Sequence, residues 1–378
     1  MQFSAFSPRR LIGVGLVVLS LVGLAAAVTA PAASAAAKAA SAHPSRWHVR
    51  TVLRESAGEQ IVTQVVDPRA GADYALVPRL ATPTGPVGPY RLQRTDLATG
   101  AVRTGPEFTV TSLTLADGYL WVSGDAQAGR NRASLLVYQV NPATLAVIRS
   151  RQLRRKVPYG AIVTVTAGPG HTIWVGFLGR MLRIDTRTGA AVAAITLPRG
   201  AFDGGAAVDL AGRYLYVAAQ GGPAYGGDVF EYGAGSGRLL ASNSHHPLQG
   251  PCDGCAALTA VPGGVWASLR TGTEGHSVLF SQRGLGSVPL SGSIFGWDMA
   301  QAATTVYGGG ALWLATGGVA GAIGCIAPNT GVIRHQTTLA QLKDTPGELL
   351  AVNASAHEIY ALGTNGVIAI TPPRSCWA

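Results

Sequence analysis

Little of this sequence is charged: 13% of its residues are Asp, Glu, Lys or Arg, about half the usual share of a globular domain. Acid is the scarcer sign, with 19 Asp and Glu against 29 Lys and Arg, for a net charge of +10. After residue 36 no stretch approaches membrane-spanning length without Gly, Pro or a charge, which excludes a transmembrane helix from that part. Against these shortages stand 50 Gly and 22 Pro among many Val, Thr, Leu and Ala. Such a mixture describes short strands and tight turns, not helices, so an all-β class is expected.

Met1 to Arg10 carries two arginines and no acid, and an apolar run from Leu11 to about Ala27 leads into an Ala/Ser-rich stretch. That order is a secretory signal peptide. The small-x-small sites Ala25-Ala26-Ala27 and Ala33-Ser34-Ala35 place cleavage near Ala36, and the run is too short for an anchor. The expected organisation is a signal peptide over 1–36, a flexible Ala-rich segment over 37–46 and one large domain over 47–378. Arg9-Arg10 leaves both Sec and twin-arginine export open. A secreted protein, extracellular or wall-associated, follows. Its basic excess favours anionic surfaces, which outside such a cell are wall polymers or headgroups, not nucleic acid.

One phrase recurs along the domain: an apolar strand, a Gly-containing turn, a strand centred on Trp or Tyr, a variable loop, and a strand closed by a Thr-Gly-type turn. The aromatics are Tyr74, Trp121, Trp174, Tyr216, Trp266, Trp313 and Tyr360, at intervals of roughly 42 to 53 residues. This is the spacing of four-stranded propeller blades. Thr95-Asp96-Leu97-Ala98-Thr99-Gly100 returns as Ile184-Asp185-Thr186-Arg187-Thr188-Gly189, with weaker copies at Asn141 to Val147 and Pro328 to Val332. Asp or Asn opens each turn by accepting from backbone amides, and Gly supplies positive φ. These acids are therefore structural, and the repeated aromatic is expected to fill the wedge between neighbouring sheets. The last repeat offers three strands, while Trp47 to Leu53 reads as a spare one. The expected fold is a seven-bladed β-propeller of four-stranded blades, its ring closed by the N-terminal strand so that no edge is left.

Four cysteines in an exported chain should pair. Cys252-Asp253-Gly254-Cys255 invites a local bridge, which leaves Cys325 for Cys376. Two other readings of Cys252 and Cys255 stay open: a redox pair, and a metal site shared with His245 and His246.

Propellers bind mainly through the loops from the outer strand of one blade to the inner strand of the next, and through those between second and third strands. The first set is expected to include Arg154-Arg155-Lys156-Val157-Pro158-Tyr159, Pro198 to Asp203 with Arg199, His245 to Cys255, Gly296-Trp297-Asp298 and Lys343-Asp344. The second includes Gly129 to Arg132, Gly221 to Tyr225, and Arg270 to His276. Arg154, Arg155, Tyr159, Arg199, Asp203, Tyr225, His245, His246, Arg270, His276, Trp297 and Asp298 are thus the candidate ligand-binding residues. Bidentate Arg contacts and aromatic stacking suit an anionic or sugar-like ligand.

The strand–Trp–strand–Asp-x-x-Thr-Gly phrase resembles the YVTN-like and quinoprotein-like superfamily of bacterial seven-bladed propellers, and the ending Ile370 to Trp377 is similar to exported actinobacterial members. The resemblance implies architecture over nearly the whole mature chain. Quinone-dependent dehydrogenases of that group carry Trp soon after the Thr-Gly turn, where this chain has Val192 or Val332. The His-Gly-x-x-Trp-Phe pattern of the metal-dependent streptogramin lyases is also missing. No acid/base pair stands within one repeat, so no catalytic residue, metal or cofactor is assigned. The expectation is a monomeric, non-catalytic binding propeller whose partner is an anionic cell-wall polymer, a glycan or another extracellular protein. The alternative is a metal-dependent lyase or hydrolase, with His245, His246 or His276 meeting Asp203, Asp253 or Glu274 on the same face.

Overall fold

Each recurrence of the Gly turn and aromatic strand builds the same unit, an antiparallel sheet of four strands. The computed structural model describes residues 47–54, 61–82, 85–110, 112–127, 133–157, 163–198, 202–220, 228–242, 254–271, 274–281, 287–289, 304–315, 322–338, 342, 348–363 and 366–377. All belong to one unit, Ser45–Ala378.

Seven four-stranded sheets are formed by the described strands. Sheet one runs β2 (Thr63–Asp67), β3 (Ala72–Thr82), β4 (Gly85–Asp96) and β5 (Val102–Phe108) from inside to outside. Sheet two is β6 (Ser112–Ala116), β7 (Tyr119–Gln127), β8 (Ala133–Val140) and β9 (Val147–Val157). Sheet three is β10 (Val163–Ala167), β11 (Thr172–Phe177), β12 (Arg180–Asp185) and β13 (Ala191–Thr196). Sheet four is β14 (Phe202–Val208), β15 (Tyr214–Gln220), β16 (Asp228–Gly233) and β17 (Leu239–Ser242). Sheet five is β18 (Gly254–Val261), β19 (Gly264–Thr271), β20 (Glu274–Ser281) and β21 (Ser287–Pro289). Sheet six is β22 (Thr304–Gly308), β23 (Ala311–Ala315), β24 (Ala322–Ile326) and β25 (Ile333–Thr338). In sheet seven β26 (Glu348–Asn353), β27 (Glu358–Gly363) and β28 (Gly366–Thr371) are followed on the outside by β1 (His48–Arg54), antiparallel to β28.

First strands adjoin one another in chain order, β2 to β6 and onward to β26, and β26 meets β2. The architecture is an all-β propeller with four-stranded blades. Its core explains the repeated aromatic. Tyr74 joins Leu120 and Val122 of sheet two, Trp121 joins Ile173 and Val175 of sheet three, and Trp174 joins Leu215 and Val217 of sheet four. Tyr216 then meets Val265, Trp266 meets Leu312, Trp313 meets Ile359, and Tyr360 meets Val66 of sheet one. Every aromatic packs forward onto the next sheet, and all seven are buried. Removing one such side chain from water is worth about 1.5–3 kcal/mol, which makes it the main glue of each seam.

The turns behave as their residues dictate. Asp96 Oδ1 accepts from the amides of Ala98 and Thr99 and from the Thr99 hydroxyl, and Gly100 holds φ at 71°. Asp185 repeats this with Arg187 and Thr188. In sheet two Asn141 takes the acid's place, and Leu145 adopts φ 61° where the others have Gly. Leu145 is buried in the seam with sheet one, beside Gly105. Its burial offsets the left-handed backbone, which explains why this copy of the turn is faint in sequence.

Cys325 and Cys376 are disulfide-bonded, as their pairing by exclusion predicts. The bond draws the end of the chain onto sheet six, where the Trp377 ring lies 4.9 Å from Trp313 and 5.2 Å from His357. The side chain of Cys252 and that of Cys255 lie outside the described residues.

Candidate functional site

Three groups of expected loop residues belong to strands instead. Arg154, Arg155 and Val157 continue the outer strand β9, which is 11 residues long, because Val157 reaches back to pair with Ala133 and is buried. Arg270 and His276 lie in the hairpin of β19 and β20, paired with Gly275 and Leu269, so that connection narrows to residues 272–273. Asp203 sits in β14, paired with Ala219. Tyr159, Arg199, Tyr225, His245, His246, Trp297 and Asp298 lie outside the described residues. Arg154 and Arg155 are exposed on the same strand, and Arg155 Nε donates to Gln152 Oε1 at 2.7 Å.

A cavity of about 630 Å³ opens on the opposite face, among the turns that join first to second strands. Turns from sheets six, seven, one and two supply its walls, with Asp67, Arg69, Asp117, Tyr307, Asn353 and Ser355 as the polar lining. Most of that polarity is already engaged. Asp67 Oδ1 accepts from the amides of Arg69 and Ala70. Asn353 Oδ1 accepts from Ser355 Oγ and the amide of Ala356. Asp117 Oδ2 accepts from the Thr186 hydroxyl at 2.5 Å, while His171 Nδ1 stands 3.8 Å from its other oxygen. The cavity mouth is thus built of turn chemistry, which the sequence shows only as Asp or Asn ahead of Gly.

Other acids are occupied too. Glu358 pairs with Arg50 at 2.8 Å and Glu107 with Arg91 at 3.2 Å. Asp209 Oδ1 accepts from the amides of Arg213 and Tyr214. Asp73 and Glu231 are buried. Burial pushes the Tyr216 phenol up, and the Glu231 carboxylate opposite it in the ladder adds to the rise. The carboxyl of Asp96 is held below its ordinary range by the Thr99 hydroxyl, and that of Asp185 by the Thr188 amide. Among the described residues no group of three or more His, Cys, Asp or Glu could hold a metal ion.

Arginines divide into two classes. One ties neighbouring sheets together: Arg103 donates to the Ala143 carbonyl at 2.7 Å, Arg151 to Gly189 at 2.6 Å and Arg183 to Gly235 at 3.0 Å. The other, including Arg54, Arg154, Arg180 and Arg238, is exposed and has no carboxylate partner among the described residues. No helix among the described residues is long and apolar enough to cross a membrane.

No family profile matches the chain, and no curated protein matches it by sequence. Solved structures do. A chain of a mitotic checkpoint complex superposes with a TM-score of 0.54 at 12% identity, covering 93% of this chain and 99% of that one. The Neurospora crassa Pan2 WD40 domain gives 0.54 at 10% identity, covering 86% and 95%. A chain of Kuenenia stuttgartiensis hydrazine synthase gives 0.57 at 12% identity, covering 81% and 94%. At such identities the likeness shows the propeller fold alone. A WD40 domain and a chain from an enzyme both share it, so fold does not choose between binding and catalysis.

Proposed function

We propose that this protein is an exported, non-catalytic binding propeller that presents exposed arginines to an anionic polymer of the cell wall. Residues 1–36 are its signal peptide, and residues 37–46 lead into the domain. The domain from 47 to 378 is one ring of seven blades, closed by the N-terminal strand. The pairing of β1 with β28 and the meeting of β26 with β2 support that closure.

The observation that carries the function is the division of charge. The acids accounted for above serve turns, ion pairs or the interior, whereas Arg54, Arg154, Arg180 and Arg238 face solvent without a carboxylate partner among the described residues. Such an imbalance raises the local concentration of anions and accelerates their encounter. A checkpoint-complex chain of the same fold works within an assembly of proteins, which makes a protein partner the other outcome to test.

The experiment is a titration of the purified mature protein with poly(glycerol phosphate), uncharged dextran, and each again after chelation. Saturable binding of the phosphate polymer that weakens steeply with salt is the expected result. Binding of dextran alone, or a chelator-sensitive turnover of either polymer, would replace this reading with a glycan-binding or catalytic one.

A further inference from the structure

We infer that the groove between the outer edges of sheets two and three is the polyanion site, and that its ligand is a linear chain of phosphate diesters. This rests on the anionic-polymer reading above and gives it a place.

The groove owes its charge to one inserted residue. In β9, Arg149 pairs with Gln139, Arg151 with Val137, and Arg154 with Leu135, with a slip of register at Leu153. Directly paired residues share a face of an antiparallel sheet. Leu135 and Val137 lie on the face that packs against Ile173 and Val175 of sheet three. Arg149 and Arg151 reach that face by simple alternation. Arg154 reaches it only because Leu153 is extra, for in an unbroken strand it would look toward sheet one. Re-aiming a side chain is a common use of a bulge. The result is three arginines along one face: Arg149 and Arg151 rooted about 7 Å apart at the strand's rise per residue, and Arg154 beyond Leu153, which itself packs against the same seam.

Sheet three supplies the facing wall. Arg180 pairs with Phe177 and Thr196, on the same face as Leu182 and Ile184. The outer-strand residues on that face, Ala191, Ala194 and Thr196, are small and uncharged. Arg180 and Arg154 both stand at the end of their sheets reached by the second-to-third-strand connections. The nearest acid on the face of sheet two is Asp125, which lies two strands inward of Arg154 through Leu135.

Rigidity differs along the row, and that difference suits a polymer. Arg151 is fixed by its bond to the Gly189 carbonyl, and Arg149 lies over the same glycine, where a Cβ would sit 3.0 Å from its Cδ. Arg154 and Arg180 are exposed and free of carboxylate partners among the described residues. A linear ligand meets two arginines already in position and two that close on it, so less side-chain freedom is lost on binding. The guanidinium fork matches the oxygens of a phosphate diester, and a line of forks matches a line of diesters.

The test is a titration of the whole mature protein with poly(glycerol phosphate) at about 50 mM and about 200 mM salt. R154A/R180A is compared with wild type and with R91A, a change on sheet one at an arginine already paired with Glu107. The double variant is expected to bind roughly tenfold or more weakly, with a salt slope shallower by about one to two, while R91A binds as wild type. Equal affinity in R154A/R180A and wild type would remove the groove as the site and leave the anionic-polymer reading standing. Failure of wild type to bind at low salt would end that reading itself. Vesicles of phosphatidylglycerol bound in preference to the soluble polymer would overturn the polymer as ligand.

Discussion

Arg151 and Gly189 join two sheets: the Arg151 guanidinium donates to the Gly189 carbonyl at 2.6 Å, from the outer strand of sheet two to the last turn of sheet three. Arg103 repeats the gesture from sheet one to sheet two, and Arg183 from sheet three to sheet four. Thr186 answers in the reverse direction by donating to Asp117 of sheet two. Part of the basic excess is therefore mechanical. These arginines donate to carbonyls in the turns between third and outer strands, and so stitch neighbouring sheets together there.

Replacement of Arg151 by Ala is expected to lower unfolding stability by about 1–2 kcal/mol, the net worth of a charge-assisted bond that is partly withdrawn from water. Urea unfolding of R151A against wild type measures it. R238A, whose side chain ties no seam among the described residues, should unfold as wild type, and an equal loss in both variants would discount the tie.

The repeat was legible because each unit must solve the same packing problem with the same residue. An aromatic at the second strand and Asp-x-x-Thr-Gly after the third mark architecture directly. What sequence reading misses is phase. The basic run from Arg154 to Val157 looks like loop, yet it continues a bulged strand, and nothing local announces that Leu153 is the inserted residue. Arg180 was invisible as a candidate for a related reason: only the ladder with Thr196 shows that it shares a groove with Arg154. The cavity at the other face escaped because its polar groups look like ordinary turn residues, and structurally they are.

Trp266 separates wedge packing from hydrogen bonding within one side chain. It is fully buried, and its Nε1 donates to the Pro328 carbonyl in the turn of sheet six at 2.8 Å. Trp266→Phe keeps most of the wedge and leaves that carbonyl without its donor, a cost of about 1 kcal/mol, whereas Trp266→Ala also opens a cavity and costs about 3–5 kcal/mol. Thermal unfolding of both variants checks the ratio. A Phe variant as damaged as the Ala variant would mean that the bond, not the ring, holds the seam.

The end of the chain makes a third test. The Trp377 ring occupies the space that a Cβ on Gly309 would need, and Gly309 has φ 60°. Gly309→Ala is therefore strained twice, in its backbone and against the indole. It should displace Trp377 from Trp313 and alter the tryptophan fluorescence of the native state. Cys376→Ser should cost about 2–4 kcal/mol by freeing a bridge that spans 51 residues. Unchanged fluorescence in Gly309→Ala would show that the terminal indole does not need this seat.

Acid should loosen the ring through its turns. The folded-state pKa values of Asp96 and Asp185 are depressed by hydrogen bonds within their turns. Their contribution is accordingly present above the unfolded value, near 3.9, and is lost as pH falls through the folded one. Asn141 already performs the same task in sheet two with a group that does not titrate, its Oδ1 accepting from Ala143 and Thr144. The double variant D96N/D185N should therefore keep its turns at neutral pH and lose less melting temperature than wild type between about pH 5 and pH 2.5. Melting curves across that window decide the point. Equal acid slopes in the two proteins would show that other carboxylates, not these turns, govern the acid limb.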